Sequence, residues 1–389
     1  MKTMRSSKTR TNVFVVCCVS FLVIYCVNQY TKIKELKRNL VKTLENDEKI
    51  EETSYFMKEN MSSYEVFQSY DAEEFPTVLN GPTRIPHIIH QICHSEDIYE
   101  IFQDPISSFV ENNPTWEYRF WTYESGRKFL NRHYPYLISI YDAFGGNDVR
   151  KSDLLRFAVI HHYGGLYADL DVKNWRSLDI ATIKYACIVP TEPFEHSAFI
   201  YKTEFILTTA VLLCRPKHPF FKQALINLQL ANKDGHPVYV TGPLYFTDIY
   251  KNYNSISEDD YGRRKLDNSS NSPYFYKGTL PEDHNDAVYV PNSQYFMGDI
   301  DVNLFDSTSP QQSFKICNEP NEFALSGKDL ELTYRACHEF EKRKQLRKER
   351  KFTFTSHYWY HMWTFPEAKL FNLKRIHIKT FIPSCVLYK

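Results

Sequence analysis

The sequence predicts an α/β layer fold placed behind an N-terminal membrane anchor and a polar stem. Three observations predict it: a lone apolar run near the N-terminus, a charged stretch after it, and β-rich runs alternating with helix-patterned segments from about residue 84 to 172. At 389 residues the chain has room for one large α/β domain, or two small ones, with such appendages.

The apolar run is Val13 to Val27, broken only by Ser20, and Lys2, Arg5, Lys8 and Arg10 precede it with no acidic residue among them. It is shorter than the roughly 20 residues of a typical span, so a cleaved signal peptide competes with a retained signal anchor. The anchor is preferred, because Val27 to Lys32 offer no small-x-small cleavage site. Short spans also suit the thinner early secretory membranes. Lys32, Lys34, Lys37 and Arg38 make the second flank basic too, so charge does not orient the segment. Two glycosylation acceptors, Asn60-Met61-Ser62 and Asn268-Ser269-Ser270, orient the bulk of the chain to the lumen. The expected division is a cytoplasmic tail at 1–12, the anchor at 13–29, a lumenal stem at 30–80 and the main domain at 81–389. Polar insertions fall near 252–287 and 306–350, and the run from Glu339 to Lys351 reads as a solvated helical face.

Within the main domain, Arg84 to Ile92 follows Gly81-Pro82 and is the first buried strand. Trp116, Tyr118 and Phe120 alternate with Glu117 and Arg119, a half-buried strand after the Asn113-Pro114 turn. Ser152 caps a helix bearing Leu155, Phe157, Ala158 and Ile160, and Gly164-Gly165 ends it where a left-handed residue is needed. Leu166 to Val172 then forms a short strand.

Basic and acidic residues number 47 each, and no basic patch interleaves with aromatics, so nucleic acid is not an expected partner. Tyr and Phe, at 28 each, far outnumber the 12 Gly; aromatic faces suit sugar rings but fill ordinary cores as well. Cys17, Cys18 and Cys26 lie in the apolar run, which leaves Cys93, Cys187, Cys214, Cys317, Cys337 and Cys385 for the lumen. Cys317 and Cys337 flank one charged segment and are the expected disulfide. With no C-x-x-C, zinc and thioredoxin-like chemistry lack support.

Asp169-Leu170-Asp171 is the segment that carries chemistry. A DxD triplet alone is weak, and the chain holds a second copy, Asp299-Ile300-Asp301, in a loop-like region to which no role is given. The first copy differs in its setting. Residues i and i+2 of a strand point to one side, so two carboxylates at a strand end grip one hard cation, at the edge where open α/β sheets bind ligands. Mn²⁺ or Mg²⁺ fits such oxygen ligands, and a cation there neutralises the charge that builds on a departing diphosphate.

The whole string from Lys151 to Val172, KSDLLRFAVIHHYGGLYADLDV, resembles the DXD sugar-binding region of glycosyltransferase family 32. That family includes yeast Golgi mannosyltransferases, inositol-phosphoceramide mannosyltransferases and animal α-1,4-galactosyl- and N-acetylglucosaminyltransferases. Asp153, Arg156, Gly164, Gly165, Tyr167, Asp169 and Asp171 all fall in register. The likeness extends to IPHIIHQI, NPTWEYRFW, Thr241-Gly242-Pro243 and, more loosely, HYWYHMW. It implies a GT-A type nucleotide-sugar-binding fold, a type II Golgi membrane protein with a lumenal catalytic domain, and a retaining transfer. A hexose or N-acetylhexosamine would pass from a UDP- or GDP-sugar to a hydroxyl of a glycan or glycolipid. By the same resemblance Asp153 binds donor-sugar hydroxyls, Arg156 the sugar or phosphate, Asp169 ribose or metal, and Asp171 the metal directly, with Gly164, Gly165 and Tyr167 part of the donor site. The third metal ligand is His357 by alignment or His361 by distance from Trp363. Two positions depart from the family: Met362 stands where Ser is expected, and Cys93 where relatives carry a base-stacking Trp. Two other readings stay open, a phosphatase of the haloacid dehalogenase type with Asp169 as nucleophile, and an inactive sugar-binding descendant. No carboxylate stands out as a nucleophile for double displacement, so a front-face transfer is expected.

Overall fold

The computed structural model describes residues 74–78, 81–146, 148–229, 235–256, 280–281, 283–301, 316–317, 327–346, 350–362 and 373–389. The expected anchor, both glycosylation acceptors and Trp363 lie outside them. No helix among the described residues is long and apolar enough to cross a membrane.

The chain opens with β1 (Ile88–Cys93) and β2 (Asp97–Tyr99), then α1 (Gln103–Asn112), β3 (Glu117–Thr122), α2 (Tyr123–His133) and α3 (Ile138–Ala143). Next come α4 (Asp148–Tyr163), β4 (Gly165–Ala168), β5 (Val172–Asn174), β6 (Cys187–Ile188), α5 (Phe194–Tyr201) and β7 (Val211–Cys214). α6 (Pro219–Leu228), α7 (Pro237–Val240), α8 (Pro243–Tyr253), α9 (Gly327–Leu346), β8 (Thr355–His357), β9 (Arg375–His377), α10 (Ile378–Phe381) and β10 (Val386–Leu387) follow. One sheet of six strands runs in the order β10-β3-β1-β4-β7-β6. β10, β3, β1 and β4 are mutually parallel, whereas β7 is antiparallel to both β4 and β6. The result is a mixed, mainly parallel sheet flanked by helices, as the alternation of strand and helix patterns predicts.

Successive strand residues face opposite sides, and the buried side chains divide accordingly into two cores. Ile89, Tyr118, Phe120, Leu166 and Leu213 join one; Ile92, Trp121, Tyr167 and Leu212 join the other. The second core holds α4, whose residues from Ser152 to His161 are all buried. Phe157 stacks on Phe246 of α8 at 4.6 Å; burying a side chain of that size contributes roughly 1.5–3 kcal/mol. A helix buried on every side presents its polar residues to protein, not water, and this brings Asp153 and Arg156 inside.

Four expectations shift. α4 starts at Asp148, so Ser152 is an interior residue whose hydroxyl accepts from Arg156 instead of capping the helix. The strand expected from Leu166 to Val172 is broken in two: β4 stops at Ala168, Val172 N–H closes a turn onto Asp169 O at 3.1 Å, and β5 leaves to pair with β8. The expected stem reaches into the core, where Phe75 is 1 % exposed and ringed by Tyr185, Tyr289, Tyr295, Phe296 and Phe354. Glu339, assigned to a solvated face, is buried on α9. The Cys317–Cys337 disulfide forms as expected, and a second joins Cys187 and Cys214, directly opposed on β6 and β7.

Candidate functional site

The end of α4 explains the glycines. Gly164 and Gly165 take φ of +67° and +95°, values that L side chains rarely adopt, and a Cβ on Gly165 would stand 2.4 Å from Ile88 O of β1. His90 locks the same corner: its Nδ1 accepts from Trp121 Nε1–H, so its Nε2–H donates to Gly164 O at 3.0 Å. Burial drives the pKa of His90 down to about 3, and the ring is neutral. Gly164 and Gly165 therefore serve close packing at the amino end of β4. The resemblance gives them a place in a donor site, but the carboxylates of the motif come at the opposite end, where Asp169 follows Ala168.

That carboxyl end gathers the remaining residues. Arg156 is 5 % exposed, and its Nη1 donates to Thr209 O at 2.7 Å while Nη2 donates to Ser152 Oγ at 3.1 Å. The same Nη2 lies 3.2 Å from Asp169 Oδ1 and 3.4 Å from Asp153 Oδ1, and the guanidinium sits 4.7 Å from the Tyr167 ring centroid. Tyr167 donates its hydroxyl to Asp169 Oδ1. Asp153, 2 % exposed, accepts at Oδ2 from Thr241 Oγ1–H at 2.6 Å. Burial pushes its carboxyl up to about 6 against the pull of Arg156 and Thr241. Burial raises the Asp169 carboxyl too, with Arg156 opposing.

Asp171 meets the C-terminal segment. Because Val172 pairs with His357 across β5 and β8, the imidazole arrives beside the turn, with its Nε2 3.0 Å from Asp171 Oδ1. Asp171 Oδ2 accepts the backbone N–H of Tyr360 at 3.0 Å. Burial opposes ionisation of Asp171, but His357 and that N–H outweigh it and hold the carboxyl below its ordinary value. Burial likewise disfavours charge on His357, yet Asp171 prevails and raises its pKa. Ligand atoms of Asp169, Asp171 and His357 all lie within 4.8 Å of one another. His361, the other candidate, bonds Asp301 at 2.6 Å. The carboxylate pair is thus made by a turn and a long-range strand pairing, and not by two positions on one strand.

Does this donor set fit a cation? Two carboxylates and one imidazole are the hard, oxygen-rich ligands that Mn²⁺ and Mg²⁺ accept. His357 Nδ1 is buried with no hydrogen-bond partner, so the ring is engaged through Nε2 alone, toward the carboxylates. The residues fit.

Three contacts escaped the sequence reading. Thr241 had a place in the resemblance without a role, and the Thr209 carbonyl and the Tyr360 amide are main-chain groups that no residue pattern marks. At the base-stacking position Cys93 ends β1 as a free, half-buried thiol, and burial raises its pKa.

Residues 100–188, which contain this turn and α4, match the model of the glycosyltransferase sugar-binding region containing the DXD motif. Over that region the chain is similar to glycosyltransferases that carry the DXD motif. That region and the relatives matched to it support the likeness to glycosyltransferase family 32. Inositol phosphoceramide mannosyltransferase 1 of Schizosaccharomyces pombe is 30% identical over 179 residues, covering 44% of this chain and 52% of the relative. Mannosyl phosphorylinositol ceramide synthase of Saccharomyces cerevisiae is 32% identical over 178 residues, 44% of this chain and 43% of the relative. The chain spans about half the length of these curated relatives. Among solved structures, the PaToxG glycosyltransferase aligns with a TM-score of 0.35 at 18% identity, over 43% of this chain and 69% of the other.

Proposed function

We propose that this chain is a metal-dependent glycosyltransferase of GT-A type that moves a hexose from a nucleotide-sugar donor to a hydroxyl of a glycan or glycolipid. The convergence of Asp169, Asp171 and His357 beyond β4, with Arg156 and Asp153 behind them, carries this reading. Asp171 and His357, with Asp169, would hold Mn²⁺ or Mg²⁺, which supplies charge neutralisation for the departing diphosphate. Arg156 offers a permanently charged fork for phosphate or sugar, already braced by Ser152 and Thr209. Asp153, fixed by Thr241, is an acceptor for donor-sugar hydroxyls. Transfer with retention proceeds at the front face, the leaving phosphate taking the acceptor proton.

The relatives named for mannosyl transfer to inositol phosphoceramide make GDP-mannose and that lipid the first pair to try. The rest of the assignment belongs to the same reading: a Golgi type II membrane protein, held through residues 13–29, with its catalytic domain in the lumen. A phosphatase using Asp169 as nucleophile is disfavoured, because Oδ1 of Asp169 is already engaged by both Tyr167 and Arg156.

Full-length protein in detergent is tested for nucleotide release from UDP-Gal, UDP-GlcNAc, UDP-Glc and GDP-mannose, with Mn²⁺ and with EDTA. One donor is expected to be consumed only with metal, and Asp171→Ala abolishes the release. Metal-independent release, or an unaffected Asp171→Ala, overturns the assignment; binding without turnover of any donor selects the inactive descendant.

A further inference from the structure

β4 and β6 both run antiparallel to β7, so they point the same way and their carboxyl ends share one edge of the sheet. Asp169 is the first residue beyond β4. Beyond β6 the chain stays in line with the sheet, with Thr191 bridged to Leu207 and the Glu192 N–H donating to Ile206 O at 2.8 Å. Glu192 therefore arrives at the edge that holds the carboxylate and imidazole cluster, where open α/β sheets take their ligands.

The Glu192 side chain is set as a rigid acceptor. It is only 7 % exposed, and Oε2 takes the Nδ1–H of His196 at 3.3 Å. The tautomer follows from the other nitrogen, since His196 Nε2 accepts the backbone N–H of Asp301 at 3.0 Å and the proton is thereby assigned to Nδ1. The His196 ring meets Trp359 edge-on at 4.7 Å, and Trp359 lies 4.0 Å from the His357 ring. Oε1 of Glu192 takes no hydrogen bond among the described residues, yet it is not sealed from solvent. The Glu192 charge also reaches Tyr201 at the end of α5 and favours its protonated form. Tyr201 in turn feels Tyr239, which lies two residues before the Thr241 that binds Asp153.

A carboxylate oxygen only accepts hydrogen bonds, and a diphosphate would be repelled by it. The matching group is a neutral hydroxyl, and the tyrosines nearby are suited to the C–H face of a sugar ring. We infer that Glu192 accepts a hydrogen bond from a sugar hydroxyl in the cleft beside Asp169, Asp171 and His357, with His196 as the positioning residue that fixes its carboxylate. The inference rests on the glycosyltransferase reading above. The hydroxyl belongs either to the transferred hexose or to the acceptor, and the experiment separates the two.

Full-length wild type, Glu192→Gln and His196→Gln are compared with Mn²⁺ and the nucleotide-sugar that wild type hydrolyses in the donor screen. Calorimetry gives Kd for the bare nucleoside diphosphate and for the nucleotide-sugar; nucleotide release gives KM and kcat with water as acceptor, and the KM for a hexoside that stimulates release by wild type. Bare nucleotide affinity is expected within twofold of wild type in both variants. A hydrogen bond to a charged group is worth about tenfold or more. If the hydroxyl is the donor's, Glu192→Gln weakens nucleotide-sugar binding and raises KM by that factor. If it is the acceptor's, the hydrolysis parameters hold and the KM for the hexoside rises by that factor. His196→Gln should move the same parameter less far, which a merely structural histidine would not do selectively. Should Glu192→Gln lose nucleotide binding through misfolding, Glu192→Asp is read the same way. Nucleotide-sugar binding, hydrolysis and hexoside KM all within twofold of wild type in folded protein overturn the inference, as does a covalent sugar adduct on Glu192. A wild type that consumes no donor defeats the glycosyltransferase reading instead.

Discussion

Asp153→Asn removes a charge while keeping shape and the acceptor oxygen that faces Thr241. In the folded chain burial holds the Asp153 carboxyl at about 6, against 3.8 for the ordinary group, despite Arg156 at 3.4 Å. That displacement corresponds to about 3 kcal/mol. The sign follows from proton binding: the folded state holds the proton more tightly than the unfolded state, so ionisation of Asp153 works against stability. Its contribution is fully present below pH 3.8 and is lost as pH rises through 6. The amide that replaces it has no such dependence. Urea unfolding of both proteins from pH 4 to 8 should show the variant gaining on wild type by about 2 kcal/mol across pH 4 to 6, then running parallel above about pH 7. The same variant should lose nucleotide-sugar binding, because the acceptor for sugar hydroxyls has been halved. A stability difference flat across this range, or one that shrinks with rising pH, would refute the claim that desolvation outweighs Arg156 and Thr241 at this site.

Two further outcomes are expected. His357→Ala should weaken Mn²⁺ binding by at least about tenfold, whereas His361→Ala, whose ring bonds Asp301 instead, should leave it within about twofold; a Mn²⁺ titration followed by electron paramagnetic resonance decides between them. Gly165→Ala should cost about 3 kcal/mol or more, read as a lowered Tm, because the new Cβ meets Ile88 O at 2.4 Å on a backbone with φ of +95°.

How much of this was legible in the sequence depends on the range of the interaction. The helix carrying Asp153 and Arg156, its stop at Gly164 and the strand into Asp169 are written in residues that lie close together in the chain, and all of them form. Ser152 was misread because Ser before an apolar run resembles a cap, and nothing local reveals that its hydroxyl is taken by Arg156. Leu166 to Val172 reads as one strand because alternation continues through it. The break comes from residue 357, which draws Val172 into a separate ladder. The Cys187–Cys214 bridge was equally hidden, since only the pairing of β6 with β7 opposes the two thiols. Thr209, Tyr360 and Glu192 reach the site through backbone placement, which residue type does not encode.

The second DxD copy shows why the motif alone decides so little. Asp299-Ile300-Asp301 served as a control for chance occurrence, with no role assigned, yet both of its acids are engaged. Asp299 takes Arg350 at 3.1 Å and gives its carbonyl to Trp359 Nε1–H at 2.9 Å. Asp301 takes His361 through its side chain and offers its backbone N–H to His196. Trp359 and His361 sit at φ of 53° and 48°, strained values for residues with a Cβ. Such conformations persist where several contacts over-determine them. Asp299 and Asp301 supply those contacts from one side, while Asp171, accepting the Tyr360 amide, supplies them from the other. The segment that delivers His357 is therefore clamped between the two acidic triplets. The first triplet brings its carboxylates and the His357 imidazole within 4.8 Å of one another; the second turns its carboxylates to Arg350 and His361. What a DxD can do is set by the groups that the fold places around its oxygens, and the three letters do not record them.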